Sequence, residues 1–286
     1  MRYRHSAALP LVAALLWNVP PAAAQQASPP VTAVSAPTSA LTPAQMEAFL
    51  LNANIIRTRP AGGGITGSLR VTMTDGALTH DAHVQTIDQA LSEFKPARGT
   101  PEFNFRDSYR YNIAAYRLSL LLGLDNVPMS VERRVNGKNA AVTWWVDDVL
   151  MDERARLKAN DRGPDSERFA MQTYVQRVFD ELIANRDRNL GNMLWTTDWK
   201  MWLIDHTRAF RMNDDVQKPQ LLVRIDRALF ERLQRLTVEE TAKAVGASLT
   251  TWEVRAIIAR RDAIIKHYRA RIAERGETGV LFNPRR

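Results

Sequence analysis

Apolar positions in the first half of the chain follow mostly strand-like patterns, and those in the second half follow a helical spacing. Thr42-Pro43-Ala44-Gln45 sets a capping hydroxyl before a proline with a Gln three residues on, which predicts a helix start. From Asn54 to Asp88 the composition turns to glycine, threonine and β-branched residues. Ile55-Ile56 leads into Gly62-Gly63-Gly64, Ile65 to Thr74 runs extended, Asp75-Gly76 turns, and Ala82 to Ile87 returns as a strand. Tyr109, Ile113, Tyr116 and Leu120 recur at steps of four, three and four, predicting a helix closed by Gly123 as a left-handed cap. Met129 to Arg134 and Ala140 to Val146 read as two strands about an Asn136-Gly137 turn. After Asp147-Asp148, Met171, Val175, Val178, Phe179 and Leu182 form the stripe of one long helix. Met193 to Trp195 and Met201 to Ile204 pair about Thr197-Asp198. Thr237-x-x-Glu240 and Thr250-x-x-Glu253 open further helices, the last lined by Ile258, Ile265, Tyr268 and Ile272. The predicted class is α+β, with a small β-rich lobe over 42–148 and a larger helical lobe over 149–286.

Composition narrows the chemistry. The 286 residues are 45% hydrophobic and 24% charged, ordinary values for a globular chain. Cysteine is absent, which excludes disulfides, thiolate metal sites and cysteine nucleophiles. The formal charge of +8 states a long-range attraction for anions without naming a partner. Arg2 and Arg4, the apolar run Ala7 to Trp17, and Ala22-Ala23-Ala24 together read as a secretory signal peptide over 1–24. The run is too short for a permanent membrane anchor, and no later stretch is apolar for long enough to span a bilayer. Residues 25–41, rich in Pro, Ala, Ser and Thr, read as a disordered linker. The expected location is outside the cytoplasmic membrane, periplasmic or secreted.

Chemistry-bearing residues concentrate in 185–210. Asn185-Arg186-Asp187-Arg188-Asn189-Leu190-Gly191-Asn192 closes the long helix, and the far strand of the following pair ends at Ile204-Asp205. Phosphoryl transfer needs a carboxylate to orient or deprotonate the attacking hydroxyl. It also needs oxygen ligands for the cations that neutralise the phosphates. A loop after a helix and the end of a hairpin strand can hold Asp187, Asn192 and Asp205 around one cleft. The same residues could serve only as caps and turns. The glycines Gly62, Gly63, Gly64 and Gly67 would let backbone N–H groups approach a phosphate, or would simply make a flexible hairpin loop.

Arg186-Asp187-x4-Asn192 with Ile204-Asp205 resembles the catalytic loop and metal aspartate of the protein-kinase-like superfamily. The wording Asp187-Arg188-Asn189-x-Gly191-Asn192 is closer to its atypical branch of HipA-like, phosphatidylinositol and secretory-pathway kinases. The resemblance implies a two-lobed kinase fold of an exported bacterial member, with Asp187 as catalytic base and Asn192 and Asp205 as metal ligands. It implies ATP or another nucleotide with Mg²⁺ or Mn²⁺, and a protein, lipid or sugar acceptor. Trp144-Trp145-Val146 before Asp147-Asp148 resembles the hinge over which the base would lie, with Trp145 against the base, and reads equally as buried strand aromatics. The family's phosphate-gripping lysine falls at Gln85, and its helix glutamate falls near Asn112. Two amides that can hydrogen-bond to each other therefore stand where an ion pair is expected, with Arg70 or Lys95 as conceivable substitutes. That departure supports a rival: an exported pseudokinase that binds a ligand or protein without catalysis.

Other clusters read more plainly. His80 and His83, with Asp75 and Asp81 nearby, are expected on one strand face, as a solvated edge rather than a metal site. Arg255, Arg260, Arg261, Lys266, Arg269 and Arg271 are expected on the solvated face of the last helix. Aromatic interleaving on a basic face is lacking, which argues against nucleic acid. No Gly-x-Ser-x-Gly, His-Glu-x-x-His or Walker loop occurs. N-terminal sequencing of the exported protein should return Gln25 first; a start at Met1 would remove the signal-peptide reading.

Overall fold

The computed structural model describes residues 41–62, 67–95, 101–186 and 188–283. The expected signal peptide and linker, Gly63, Gly64 and Asp187 lie outside the described residues, save Leu41 at the linker's end. Helix α1 (Pro43–Asn52) starts at Thr42 with the predicted reciprocal cap: the hydroxyl accepts from the Gln45 amide, and the Gln45 side chain accepts from the Thr42 amide. Strands β1 (Asn54–Pro60), β2 (Leu69–Thr74) and β3 (Thr79–Gln85) follow as an antiparallel meander. After an added hairpin, β4 (Asp88–Phe94) and β5 (Glu102–Ser108), come helix α2 (Arg110–Leu121) and strands β6 (Ser130–Val135) and β7 (Lys138–Trp144). The main sheet has the order β1-β2-β3-β7-β6.

Cross-strand pairing sorts this sheet into two chemically different faces. Val71, Met73, Ala82, Val84, Val131 and Val142 are buried on the face that packs on α1 and α2. The opposite face carries Arg70 across from His83, Thr72 across from Asp81, and His83 across from Thr143. His80 and His83 are therefore not on one face, contrary to expectation: three positions apart, they obey strand alternation and point oppositely. The His80 ring stacks on Trp144 at 3.9 Å, and its Nε2 meets Asp147 at 2.8 Å.

Strand β8 (Val149–Asp152) opens the second part and pairs with β9 (Met193–Thr196), which pairs in turn with β10 (Met201–Leu203). The helices are α3 (Glu153–Ala159), α4 (Ser166–Leu182), α5 (Arg227–Arg235), α6 (Val238–Val245), α7 (Thr251–Arg275) and α8 (Glu277–Val280). Two residues of β11 (Ile225–Asp226) run parallel to β12 (Leu281–Phe282). Both predicted Thr-x-x-Glu caps are formed, at the starts of α6 and α7. Met171, Val178, Phe179 and Leu182 of α4 bury their stripe in one core with Ile257, Ile264 and Tyr268 of α7. The sheet-rich first part and helical second part match the predicted class. Among the described residues no helix is long and apolar enough to cross a membrane.

Arg260 departs from the solvated face predicted for it, with no side-chain surface exposed. Its Nε donates to the Leu182 carbonyl at 2.8 Å, and its Nη1 donates to the Arg211 carbonyl at 2.8 Å and to that of Asn213. Burial, with a smaller contribution from Arg186, lowers its pKa to about 10. The side chain thus closes the end of α4 and holds the segment downstream of Asp205, whose carbonyls would otherwise be unpaired. Arg260→Met should lower stability by about 2–4 kcal/mol in urea unfolding, because it removes the donors for three carbonyls. An unchanged midpoint would sink this account.

Candidate active site

The site grows from the end of α4. Asp180, on the last turn, is a carboxylate beside the apolar Val178 and Phe179, with only 9% of its side chain exposed. It accepts from Gln176 Nε2 at 2.5 Å, from Asn185 Nδ2 at 3.3 Å, and from Arg188 through Nε at 3.0 Å and Nη2 at 2.8 Å. Arg188 is 7% exposed. Its Nη1 reaches across to the carbonyls of Asn192 at 3.0 Å and Ile204 at 2.7 Å. The Ile204 amide itself donates to the Asn192 carbonyl at 3.0 Å. One buried guanidinium therefore binds the helix end to both strand-pair termini, in the charge-assisted fork geometry that arginine favours.

This bracket brings Asn192 and Asp205 together. Asn192 ends a single 3₁₀ turn, Leu190–Asn192, capped by the Asn189 side chain on the Gly191 amide at 2.8 Å. Asp205 follows Ile204 directly and takes a left-handed backbone, φ 52°, a conformation that aspartate tolerates better than most residues with a Cβ and that its surroundings hold here. The holding group is Asn112 on α2, whose Oδ1 accepts from the amide of His206 at 2.8 Å. Thr207 Oγ1 donates to Asp205 Oδ1 at 3.1 Å. His206 is buried among these elements, and its ring stays neutral well below the ordinary range because burial and then Arg188 oppose its protonation.

Asn112 has a second bond: its Nδ2 donates to Gln85 Oε1 at 3.2 Å, both residues being buried. The two amides that stand in the positions of the resemblance's ion pair are thus joined. They carry a neutral link from β3 through α2 to the peptide after Asp205. Helix α2 is anchored further where the Tyr111 hydroxyl donates to Glu253 at the start of α7. Of the proposed charge substitutes, Lys95 is exposed at the end of β4 and pairs with Glu93 at 3.2 Å. Arg70 gives its Nε to Asp81 at 2.5 Å and lies over the Trp145 ring, 4.0 Å from its centroid.

Gly62 and Gly67 both have positive φ, 80° and 64°, with open space where a Cβ would stand. Backbone conformation, rather than close approach, is what favours glycine at both positions. The Ala61 amide donates to the Ser68 carbonyl at 3.0 Å and closes the β1–β2 loop. His83, partly buried on β3, has its pKa lowered by burial, which the negative charge of Asp205 offsets only in part.

Asn192 and Asp205 offer only oxygen ligands, which suits a hard cation such as Mg²⁺ or Mn²⁺. Among the described residues no group of three or more His, Asp or Glu side chains gathers into a cage. Such a cation would complete its shell with water and phosphate oxygens, as Mg²⁺ commonly does. Sequence reasoning missed Arg188 and Asp180. The available signal was a carboxylate next to an apolar helix stripe, eight residues before an arginine inside the motif.

No protein-family model matches the chain, and no curated protein matches it by sequence. Solved structures do. A hydra Fam20 protein with sugar superposes with a TM-score of 0.63 at 15% identity, covering 84% of this chain and 92% of that one. A Golgi casein kinase superposes with a TM-score of 0.56 at 16% identity, covering 82% and 78%, and it has also been solved with Mn/ADP bound. The likeness is one of fold. It agrees with the atypical protein-kinase-like architecture that the motif order implied.

Leaving Asp180 or Arg188 alone in this setting is costly. Arg188→Leu and Asp180→Leu should each lower stability by about 3–5 kcal/mol, and the double variant by clearly less than their sum. Additive losses in urea melts would show that the pair is not the bracket described.

Proposed function

We propose that the chain is a metal-dependent phosphotransferase that moves the γ-phosphate of a nucleotide to a hydroxyl on a protein, lipid or sugar. The observation that carries this reading is the Arg188 bracket, which brings the residues bearing the Asn192 amide and the Asp205 carboxylate against one another within a kinase-like fold.

In this reading Asp187 accepts the proton of the attacking hydroxyl, a role that lies outside the described residues. Asn192 and Asp205 would hold Mg²⁺ or Mn²⁺, which when bound neutralises phosphate charge and so lowers the barrier to transfer. The β1–β2 loop, flanked by Gly62 and Gly67 and including Gly63 and Gly64, would cover the phosphates. Trp145 would lie beside the base. The Asn112 link keeps the Asp205 peptide aligned with β3, although it brings no charge to the phosphates. Export through residues 1–24 belongs to the same proposal.

The neutral Gln85–Asn112 pair favours a second reading, a pseudokinase that retains the fold to bind a ligand or protein. The two readings separate in one assay. Incubation with γ-labelled nucleotide and Mn²⁺ should give transfer that Asp187→Ala and Asp205→Ala each reduce by at least about a hundredfold. Nucleotide-dependent thermal stabilisation with no transfer in the unsubstituted chain would support the binding module instead.

A further inference from the structure

The polar face of the main sheet carries charges that are held in fixed positions. Asp81 accepts from Thr72 Oγ1 at 2.6 Å, from Arg70 Nε at 2.5 Å and from Arg59 Nη2 at 3.4 Å. Burial would raise its pKa, but the Thr72 hydroxyl and the two guanidinium groups outweigh this and keep it below the usual carboxylate range. A charged Asp81 and the flat Trp145 ring together fix the guanidinium of Arg70 in direction and in plane.

Only Nε is used. Among the described residues no group accepts from Arg70 Nη1 or Nη2, and 31% of the side chain remains exposed. Arg70 sits directly across from His83, which shares its face of β3 with Gln85, the residue tied through Asn112 to the peptide after Asp205. A ligand anchored at Asp205 and extending toward Trp145 therefore passes beneath an immobilised fork of free donors. Surfaces that hold a purine by apolar contact alone look different, since they present side chains such as valine or alanine rather than a guanidinium.

We propose that Arg70 reads the base of the donor nucleotide and makes the site prefer guanine over adenine. This deepens the phosphotransferase reading and rests on it. A guanidinium offers donors and no acceptor. Guanine presents two adjacent acceptors, O6 and N7, which match the fork. Adenine presents N7 beside the N6 amino group, so one of the two donors meets another donor. Stacking of a base on the guanidinium plane is a different geometry, which excludes this edge contact and would not distinguish the bases. Selectivity therefore resides in the edge contact.

Binding of Mn²⁺·GTP, Mn²⁺·ATP and Mn²⁺·tripolyphosphate is measured by calorimetry on the full chain and on Arg70→Lys and Arg70→Leu. The unsubstituted chain should bind GTP about tenfold or more tightly than ATP. Both variants should lose that preference, since lysine keeps the charge but lacks the fork, while tripolyphosphate affinity in Arg70→Lys stays within about twofold. ATP binding as tight as GTP binding, or a preference that survives in Arg70→Leu, would overturn the base reading alone. Binding of neither nucleotide by the folded chain would overturn the phosphotransferase reading and this proposal with it.

Discussion

Arg188 and Asp180 leave water together, and the arrangement of the site follows from what that requires. A buried ion costs several kcal/mol unless its hydrogen bonds are complete. Asp180 is completed by Gln176, Asn185 and Arg188, all within eight residues of it in the chain. Arg188 is completed only by reaching two backbone carbonyls, and these belong to Asn192 and to Ile204, the neighbour of Asp205. The desolvation cost therefore selects the one geometry in which the helix end, the loop and the strand pair meet. A looser arrangement would leave a charge or a carbonyl unpaired.

Beside this charged bracket lies a link made of amides. Gln85 and Asn112 cost less to bury than a lysine and a glutamate, and they have no proton to gain or lose in the ordinary pH range. Alignment and charge, which one ion pair could supply together, are thus separated in this fold. Asn112 supplies alignment by holding the His206 amide and so the left-handed turn at Asp205. A guanidinium stands elsewhere, at Arg70 on the polar sheet face, where Asp81 and Trp145 fix its orientation.

Elements whose signals close within a few residues were legible in the sequence. The Thr42, Thr237 and Thr250 caps, the Asn136-Gly137 turn, the α4 stripe and the β9–β10 pair all stand where spacing put them. The β4–β5 hairpin escaped because nearly all of β4 is exposed on both faces, so no apolar alternation marks it; its Phe94–Phe105 stack unites residues across the turn. The third strand also proved earlier than its apolar residues suggested, ending at Gln85 rather than Ile87. Leu120, assigned to the α2 stripe by spacing, is 50% exposed, whereas Leu118 is buried.

For the site, sequence alone determined the residue types and their order: an Asp, an Asn and an Asp about a helix end and a strand pair, with amides in place of an ion pair. Which charged side chains are buried was decided only by tertiary structure. Arg260 shares its helix with exposed arginines, and nothing in its own neighbourhood reveals that its acceptor, the Leu182 carbonyl, lies 78 residues away. Asn112 meets the His206 amide across 94 residues. Capping and turn formation are satisfied by atoms a few residues apart, so composition records them. The pairing of a buried donor is satisfied by whichever carbonyl the fold delivers, so it is written only in the packed chain.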